Sequence, residues 1–328
     1  MVGVTAADID RMTDALFFDG DDRRRKLTKF WTLLPLAAVI ASAGIVSDST
    51  ATVIGAMIVA PLMTPILGTA QAVVLADRRN LIRSVILVLT GALSVVLIGY
   101  VLGVFSPAPV LAATNPQVAG RVDPHLVDLI AALATGLVGA FALVRPDVSD
   151  TLPGVAIAIS LVPPLAVVGL TLESGAPSQA AGALLLFGTN VAAIIAMGTA
   201  VFLGYRIRGT AETSGYPVGQ LSRSTLAAVA LLVVAVAIPL GFSGYQVRRQ
   251  DHITAVATPI AQAWATQGGW QITSVAYANG GLLITAAGVP PAVDPATLAE
   301  ELRAAGLTNL ALDIQFFDGG IRHLVTGP

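Results

Sequence analysis

The sequence predicts an all-α polytopic membrane protein with about seven transmembrane helices, an inverted 3+3 repeat with proline-broken helices, and a small C-terminal α+β domain. Three observations predict this fold class. Apolar residues make up 55% of the 328-residue chain and charged residues only 12%, whereas ~25% of the residues in soluble proteins are charged. Apolar segments long enough to cross a bilayer recur along the chain. The first half of this apolar region also matches the second half at a constant offset.

The composition excludes several function classes. The net charge is −2, so the chain lacks the excess of basic residues that is typical of nucleic-acid-binding proteins. The chain contains no cysteine, which excludes disulfides, thiolate nucleophiles and sulfur-ligated metals. The lipid bilayer is therefore the first partner that the sequence predicts.

Residues 1–29 form a predicted cytoplasmic segment. Acidic residues precede the basic run 23–26 and no small-residue cleavage site follows, so this is not a secretory signal. Apolar residues recur at helical spacing over 5–18 and predict an amphipathic helix, which lies either on the membrane or on a partner helix. The acidic cluster within 19–22 is interpreted as a solvated turn rather than a cation site.

Seven segments have the ~20 mostly apolar residues that a transmembrane helix requires. They are 30–47, 52–76, 81–105, 126–144, 152–172, 180–205 and 225–244. The first six form a predicted membrane domain over 30–205, and the seventh lies within a connecting segment, 206–244.

The distribution of Lys and Arg predicts the orientation. With the N-terminus in the cytoplasm, thirteen of the 18 basic residues lie inside, and the short outer loops hold only Arg121. The chain is thus predicted to be a multi-pass protein of the cell inner (cytoplasmic) membrane. Seven crossings place residues 245–328 outside, although Arg248 and Arg249 count against this topology.

Residues 245–328 predict an extracytoplasmic α+β domain. A helical pattern over 252–267 precedes two strand patterns, 270–277 and 282–287, joined by an Asn-Gly-Gly turn. Asp294 is the predicted N-cap of a second helix, and Gly306 ends it. A third strand pattern covers 310–317.

An internal repeat is the most informative feature of the apolar region. At an offset of 102 residues, Val46, Ser47, Asp48, Val53, Ala56 and Pro61 match Val148, Ser149, Asp150, Val155, Ala158 and Pro163. The repeats cover about 30–105 and 126–205. Since each holds three crossings, the second copy is inverted relative to the first, as in secondary transporters. The alternative is a chance match between apolar segments.

Prolines interrupt the corresponding helices of the two repeats. Pro61 and Pro65 lie in the second predicted span, and Pro163 and Pro164 lie in the fifth. A helix interrupted at these points exposes carbonyl groups that suit a cation and amide groups that suit an anion. Both breaks are expected near the bilayer midplane, so they predict a binding site there. Ordinary kinks, satisfied by neighbouring helices, are the alternative.

A few polar side chains accompany the prolines and complete the candidate substrate-binding set. They are Thr64, Ser160, Thr189 and Asn190. For Asn190, an interhelical hydrogen bond is the structural alternative to lining a substrate path.

Two aspartates stand at the starts of spans. Asp48 and Asp150 are predicted to be helix caps, with a gating role as the alternative.

The sequence predicts neither an enzyme nor a cofactor or metal site. No charged residue or histidine occupies the middle of a predicted span, so no proton relay is apparent. The three histidines are scattered outside the spans, and no nucleotide-binding or hydrolase motif occurs.

Three segments carry a family resemblance. DSTATVIGAMIVAPLMTPILG (48–68), LPGVAIAISLVPPLAVVG (152–169) and GALLLFGTN (182–190) resemble the signature segments of a bacterial family of hydrophobic membrane proteins, domain of unknown function 389. The resemblance covers about 30–205. It implies an integral membrane protein but neither a substrate nor a mechanism.

Together these features predict a secondary transporter or channel-like protein for a small ion or polar solute, bound near the midplane at the broken helices. The alternative is a non-transporting membrane sensor or scaffold that acts through its extracytoplasmic domain. Gly99 and Gly103, and a row of alanines in the sixth span, predict close helix contacts within the chain or between copies, so a homo-oligomer is one option.

Overall fold

The computed structural model describes residues 4–145, 161–216, 218–219, 253–278, 281–288, 294–308 and 310–318. The chain forms two units, Met1–Ser243 and Gly244–Pro328. Each unit has its own hydrophobic core.

The described part of the first unit is entirely helical. Its helices are α1 (Ala6–Leu16), α2 (Arg23–Val46), α3 (Thr50–Val59), α4 (Met63–Leu75), α5 (Arg78–Val104), α6 (Pro116–Val122), α7 (Leu126–Val144), α8 (Val162–Glu173), α9 (Pro177–Gly204) and α10 (Ile207–Thr213).

Several of these helices are long and apolar enough to cross a membrane. Within the described residues, α2, α5, α7 and α9 each qualify alone, and α3 with α4 forms a fifth candidate bent by 46°. The chain is thus a membrane-associated protein with four or five candidate spans among its described residues, and the predicted total of seven is not confirmed. Of the fifth predicted span, the described residues contain the 12-residue helix α8. The predicted span over 225–244 lies outside the described residues.

Helix α5 has the distribution of side chains expected of a helix between protein and lipid. Its exposed stripe consists of Ile82, Ile86, Leu89, Leu93 and Leu97. Its buried side carries Gly91, Gly99 and Gly103. A stripe of large apolar side chains this long is unusual on a water-soluble surface, whereas small residues on the buried side permit close helix packing.

Glycines bring α5 and α8 into backbone contact. A Cβ added at Gly99 would lie 2.7 Å from the carbonyl oxygen of Ala166, and one added at Gly169 would overlap the carbonyl oxygen of Val96. At the end of the same pair, Gly103 faces the Glu173 side chain. The close contact predicted for Gly99 and Gly103 is therefore observed within the chain.

The turn between α2 and α3 differs from the prediction for Asp48. Asp48 has φ +49° and its amide donates to Ile45 O, while Ser49 N donates to Gly44 O over 2.8 Å. This is a Schellman ending of α2 with Asp48 in the left-handed position. Ser49, not Asp48, is the N-cap of α3, since its side chain accepts from Thr52 N. The N-cap prediction was wrong by one residue, because either side chain can cap a helix and the turn decides which one faces it.

Hydrogen bonds connect the helix ends in two groups, one at each end of the helix bundle. At one end, which we call the α1 face, Arg11 donates to Leu143 O over 2.9 Å at the end of α7, and Asn80 of α5 donates to Asp19 over 3.0 Å. Arg208, in α10, donates to Val74 O near the end of α4 over 3.4 Å.

At the opposite end, the α6 face, the segment before α7 contacts other helices. Asn115 donates to Ile45 O over 2.7 Å at the end of α2, and Gln117 donates to Thr50 over 2.7 Å at the start of α3. Val110 N donates to Ser174, just after α8, over 2.9 Å. Consequently α2, α5 and α8 run from the α1 face to the α6 face, and α7, α9 and the α3–α4 pair run the opposite way.

The second unit contains a three-stranded sheet and two helices. A helix over 253–267 (α11) is followed by β1 (Gln271–Ala278), β2 (Gly281–Gly288), α12 (Pro295–Ala304) and β3 (Ala311–Asp318). Strand β2 is central, antiparallel to β1 and parallel to β3.

The two helices of the second unit share a core with one side of the sheet. Leu282, Ile284 and Ala286 alternate along β2 and are buried with Trp264 and Leu298 from the helices. Trp264 Nε1 donates to Asp294 O over 3.1 Å, which joins α11 to the start of α12. The side chain of Asp294 accepts from Ala296 N, as expected of an N-cap.

The α5–α8 contact gives a stability prediction. Gly169→Ala places a Cβ against the backbone of α5, and backbone atoms cannot move aside without separating the helices. Such overpacking should lower the free energy of unfolding by about 1–3 kcal/mol, measured by denaturant unfolding in detergent.

The matched control is Gly188→Ala in α9, where an added Cβ meets nothing within 4 Å. This variant should keep or slightly raise stability, because alanine is the better helix former by about 1 kcal/mol. Equal effects of the two substitutions would contradict the backbone contact.

Candidate functional site

The candidate site is the break between α3 and α4. Ala60 has extended backbone, with φ −70° and ψ 124°, and α4 begins after Pro61 and Leu62. The last helical hydrogen bond of α3 runs from Ala60 N to Ala56 O over 3.2 Å, and helical bonding resumes with Ile66 N to Leu62 O over 3.4 Å. The axis bends by 46° between the two helices.

Proline chemistry explains the break. Pro61 and Pro65 have no amide hydrogen, so the carbonyls of Met57 and Pro61, four residues earlier, lose their usual donors. In a membrane, carbonyls freed in this way are tolerated only against protein or a water-filled cavity. The break is therefore a polar backbone feature that the surrounding structure has to accommodate.

The surroundings of the break are protein on the α4 side. Twelve of the 13 residues of α4 are buried, Thr64 being the exception. Helices α1, α5, α7 and α9 pack around α4. On α3, by contrast, Ile54, Ile58 and Val59 are exposed. The break therefore joins a peripheral helix to a central one.

Two cavities meet at Thr64. The larger has a volume of about 680 Å³, and the smaller, of about 210 Å³, is formed by residues of α1, α4 and α7. The residues around the larger cavity are Asp14, Ala15, Phe17, Phe18, Lys26, Lys29, Phe30, Leu33, Ile58, Val59, Ala60, Pro61 and Thr64. Thr64 and Ala15 line both cavities, and Ala60 and Pro61 of the break line the larger one.

Helix α1 packs beside the break from the α1 face. Its apolar side, Ile9, Met12 and Leu16, is buried in the core of the bundle. Leu16 O lies 3.1 Å from the position of a Cβ added at Gly68, so only a small residue fits there on α4. The sequence left open whether this amphipathic helix lies on the membrane or on a partner helix. In the structure it packs against neighbouring helices of the bundle.

Polar contacts hold the end of α1 in place. Gln71, fully buried in α4, donates to Thr13 over 3.2 Å. The hydroxyl of Tyr216 also hydrogen-bonds Thr13. Burial raises the pKa of Tyr216, and the nearby carboxylates of Asp19 and Asp77 raise it further, against the lowering effect of the Thr13 hydrogen bond. Tyr216 therefore remains a neutral phenol at physiological pH.

The structure describes only part of the candidate set from the second repeat. Pro163 and Pro164 are buried in the first turn of α8, where a missing amide costs little. Thr189 and Asn190 are buried in α9, and Thr189 donates to Leu185 O of its own helix over 2.8 Å. Ser160 and Asp150 lie outside the described residues. The described candidates thus fall on three helices, with α9 packed against both α4 and α8.

Metal binding has no visible site in this set. Within the described ranges, no group of three or more His, Asp or Glu side chains is placed to hold an ion. The polar groups around Thr64 are its own neutral hydroxyl and the backbone at the break. The cavities add charged residues: Asp14, Lys26 and Lys29 line the larger one, and Arg11 lines the smaller one.

Comparison with known proteins identifies the segment that contains the break. Residues 57–196 match the family described as Domain of unknown function (DUF389). An uncharacterized protein of the archaeon Methanocaldococcus jannaschii is 33% identical over 175 residues, which are 53% of this chain and 53% of that protein. The chain thus spans about half the length of this relative. No solved structure matches the chain.

The DUF389 match confirms the resemblance that the sequence predicted. It contains Pro61, Thr64 and Pro65, the start of α8, and Thr189 with Asn190. The relative is archaeal, so the bacterial origin implied by the resemblance is not tested by it. Helix α1, Lys26 and Lys29 precede the DUF389 segment.

The sequence analysis missed the residues that line the larger cavity from outside the DUF389 segment. Lys26, Lys29, Phe30 and Leu33 lie at the spacing i, i+3, i+4 and i+7 and therefore share one face of α2. That spacing was a usable signal for a cavity-facing side. The contribution of Asp14 depends on the packing of α1, which no local pattern specifies.

The packing of α1 gives an accessibility prediction. In the cysteine-free chain, α1 covers part of the approach to Thr64, so Thr64→Cys should react with a small water-soluble thiol reagent more slowly while α1 is packed than after α1 is displaced. Met12 is fully buried, and a polar group there without a partner costs about 1–3 kcal/mol. Adding Met12→Asp should therefore increase the labelling rate by about tenfold, measured by mass spectrometry.

The control is Thr69→Cys on the same helix, since Thr69 is buried and donates to Pro65 O over 2.9 Å. It should stay unreactive in both backgrounds. Labelling of Thr64→Cys that does not respond to Met12→Asp would argue against α1 as the cover of the break.

Proposed function

We propose that the chain is a secondary transporter or channel-like protein for a small ion or polar solute, which binds near the bilayer midplane at the broken helices. The carrying observation is the break at Ala60–Leu62, where a membrane-length pair bends by 46° beside two cavities. Neither the family description nor the relative's name provides a function. The proposal therefore depends on the geometry of this break.

The order and direction of the helices support an inverted repeat. The offset of 102 residues relates α2 to α7, α4 to α8 and α5 to α9. The two members of each pair run in opposite senses between the α1 face and the α6 face. Such opposed pairs are what an inverted 3+3 repeat predicts, and in secondary transporters built in this way the repeat interface holds the substrate.

Two helix crossings also support the repeat. At one crossing, an added Cβ at Gly169 of α8 overlaps Val96 O of α5. At the other, an added Cβ at Gly198 of α9 lies 3.0 Å from Leu67 of α4. The offset of 102 residues relates Leu67 to Gly169 and Val96 to Gly198, so the two crossings join corresponding positions. The glycine belongs to α8 at the first crossing and to α9 at the second.

The groups around Thr64 favour a small polar substrate. The carbonyl groups of the last turn of α3 suit a cation, and the first amides of α4 suit an anion. The Thr64 hydroxyl can donate or accept a hydrogen bond. We propose that Pro163 and Pro164, with Ser160, Thr189 and Asn190, form the second half of this site, and that Asp48 and Asp150 lie at its two entrances.

The membrane topology is part of the proposal. The α1 face carries most of the basic residues, including Arg11, Lys26, Arg78 and Arg208, whereas Arg121 lies on the α6 face. We therefore propose that the chain lies in the cell inner membrane and that its α1 face points toward the cytoplasm. A seventh crossing at 225–244 then puts the C-terminal domain outside. Homo-oligomer formation belongs to the same proposal.

Transport by purified protein in liposomes tests the proposal. The double variant Pro61→Ala, Pro163→Ala gives an amide donor to each of the two matched positions, so the break between α3 and α4 should become helical and flux of inorganic cations and anions should fall to near background. Pro35→Ala, within the continuous helix α2, is the matched control and should keep the flux.

A milder substitution addresses the substrate contact. Thr64→Val removes one hydroxyl at constant shape, and a lost hydrogen bond of about 0.5–1.5 kcal/mol raises KM by roughly three- to tenfold. Thr90→Val is the control, because Thr90 donates to Ile86 O on an exposed face.

The rival function is a membrane sensor or scaffold that acts through the C-terminal domain. It would be favoured if wild-type protein moves no ion or solute and the proline double variant has wild-type behaviour in the cell. A KM that changes equally in Thr64→Val and Thr90→Val would contradict the proposed site.

A further inference from the structure

The larger cavity has a charged end and an apolar end. Lys26 and Lys29 lie in the first two turns of the 24-residue helix α2, within ~10 Å of its start at 1.5 Å per residue. Leu33 follows one turn further along α2, and Ile58 and Val59 enter from α3. The charged end is therefore at the level of the membrane surface at the α1 face, and the apolar end points toward the bilayer interior.

Among the described residues, the charged end has one cation that lacks an acidic partner. Lys26 Nζ is 2.6 Å from Asp14 Oδ1 and donates to Phe17 O over 3.3 Å, so its charge is already compensated. Lys29 is exposed, and no carboxylate of the described residues lies within ion-pair distance of its ammonium group. Lys29 therefore places at the mouth of the cavity a positive charge that no described carboxylate compensates.

The apolar end opens sideways toward lipid. Phe17 and Phe30 are fully buried and form part of the wall. Ile58 and Val59 are 50% and 37% exposed, respectively. In a bilayer these exposed side chains border the acyl chains, so the cavity is continuous with the hydrocarbon region as well as with the α1-face surface.

We propose that this cavity binds an anionic phospholipid from the leaflet at the α1 face. Lys29 attracts the phosphate of the headgroup, and an acyl chain follows Leu33, Phe30 and Ile58 toward the break. Free phosphate shares the headgroup chemistry, but it would leave the apolar end empty. A zwitterionic lipid would fill the apolar end without a net charge to match Lys29.

The bound lipid would also border the candidate site, since Ala60, Pro61 and Thr64 line the same cavity. Lipid binding does not depend on transport. A protein that binds the lipid at Lys29 and moves no solute would uphold this inference and contradict the proposed function.

Native mass spectrometry of the full-length protein in detergent, titrated with phosphatidylglycerol or phosphatidylcholine, tests the inference. Wild-type protein should retain phosphatidylglycerol at lower lipid concentration than phosphatidylcholine. Lys29→Gln should weaken phosphatidylglycerol retention by about fivefold, the upper end of what one solvent-exposed ion pair contributes, and leave phosphatidylcholine unchanged. Arg25→Gln is the matched control: it removes one exposed charge from the same helix but does not line the cavity.

Two results would overturn the inference. One is an equal loss of phosphatidylglycerol retention in Lys29→Gln and Arg25→Gln, because the lipid would then be attracted by the basic run as a whole. The other is no loss for Lys29→Gln.

Leu33→Trp tests the acyl-chain end separately, because the larger side chain fills the cavity without changing its charge. It should weaken retention of both lipids, and unchanged retention would overturn the proposed path of the acyl chain. Millimolar inorganic phosphate is the final arm. If it displaces phosphatidylglycerol completely and Leu33→Trp has no effect, the site takes a small anion and the lipid assignment fails. Size-exclusion profiles identify any variant that does not fold, and the phosphate arm on wild-type protein needs no variant.

Discussion

The structure depends on the backbone groups that two prolines leave without helical partners. Pro61 and Pro65 remove two amide donors within five residues, and lipid cannot replace them. A helix that carries such a break has to place it against protein or water. The burial of α4 by α1, α5, α7 and α9, and the cavities at Thr64, follow from that requirement.

Close helix packing is the second requirement for burying α4. Lipid provides no hydrophobic force between helices, so association depends on van der Waals contact over short distances. Gly99 and Gly169 allow the backbones of α5 and α8 to touch, and Gly198 lets α9 approach Leu67 of α4. These contacts enclose the central helices while the large side chains of α5 face outward. The small residues therefore determine which helix faces contact other helices and which face the lipid.

Helix α1 links the region outside the DUF389 segment to the break within it. Its apolar side joins the core of the bundle, and Thr13 contacts Gln71 on α4. The cavity beneath it combines residues from α1, α2, α3 and α4, so its shape and charge change if α1 moves. Because both the proposed substrate site and the proposed lipid site border this cavity, access to the break and occupancy by lipid are physically connected.

The sequence by itself determined what depends on local chemistry. The long apolar segments of α2, α5, α7 and α9, the proline break near Pro61, and the strands of the second unit follow from spacing and residue type, and the observed strands lie within a residue or so of the predicted ones. Whether Ser49 or Asp48 caps α3 depends on the turn that ends α2, and the predicted cap was displaced by one residue.

Only the tertiary structure decided the placement of α1 and the charged lining that Asp14 and Lys29 give to the cavity. An amphipathic pattern states that a helix has an apolar side but not what covers it. Cavities are formed by residues distant in sequence, whose meeting depends on packing. For this reason the break was predictable from its prolines, and its surroundings were not.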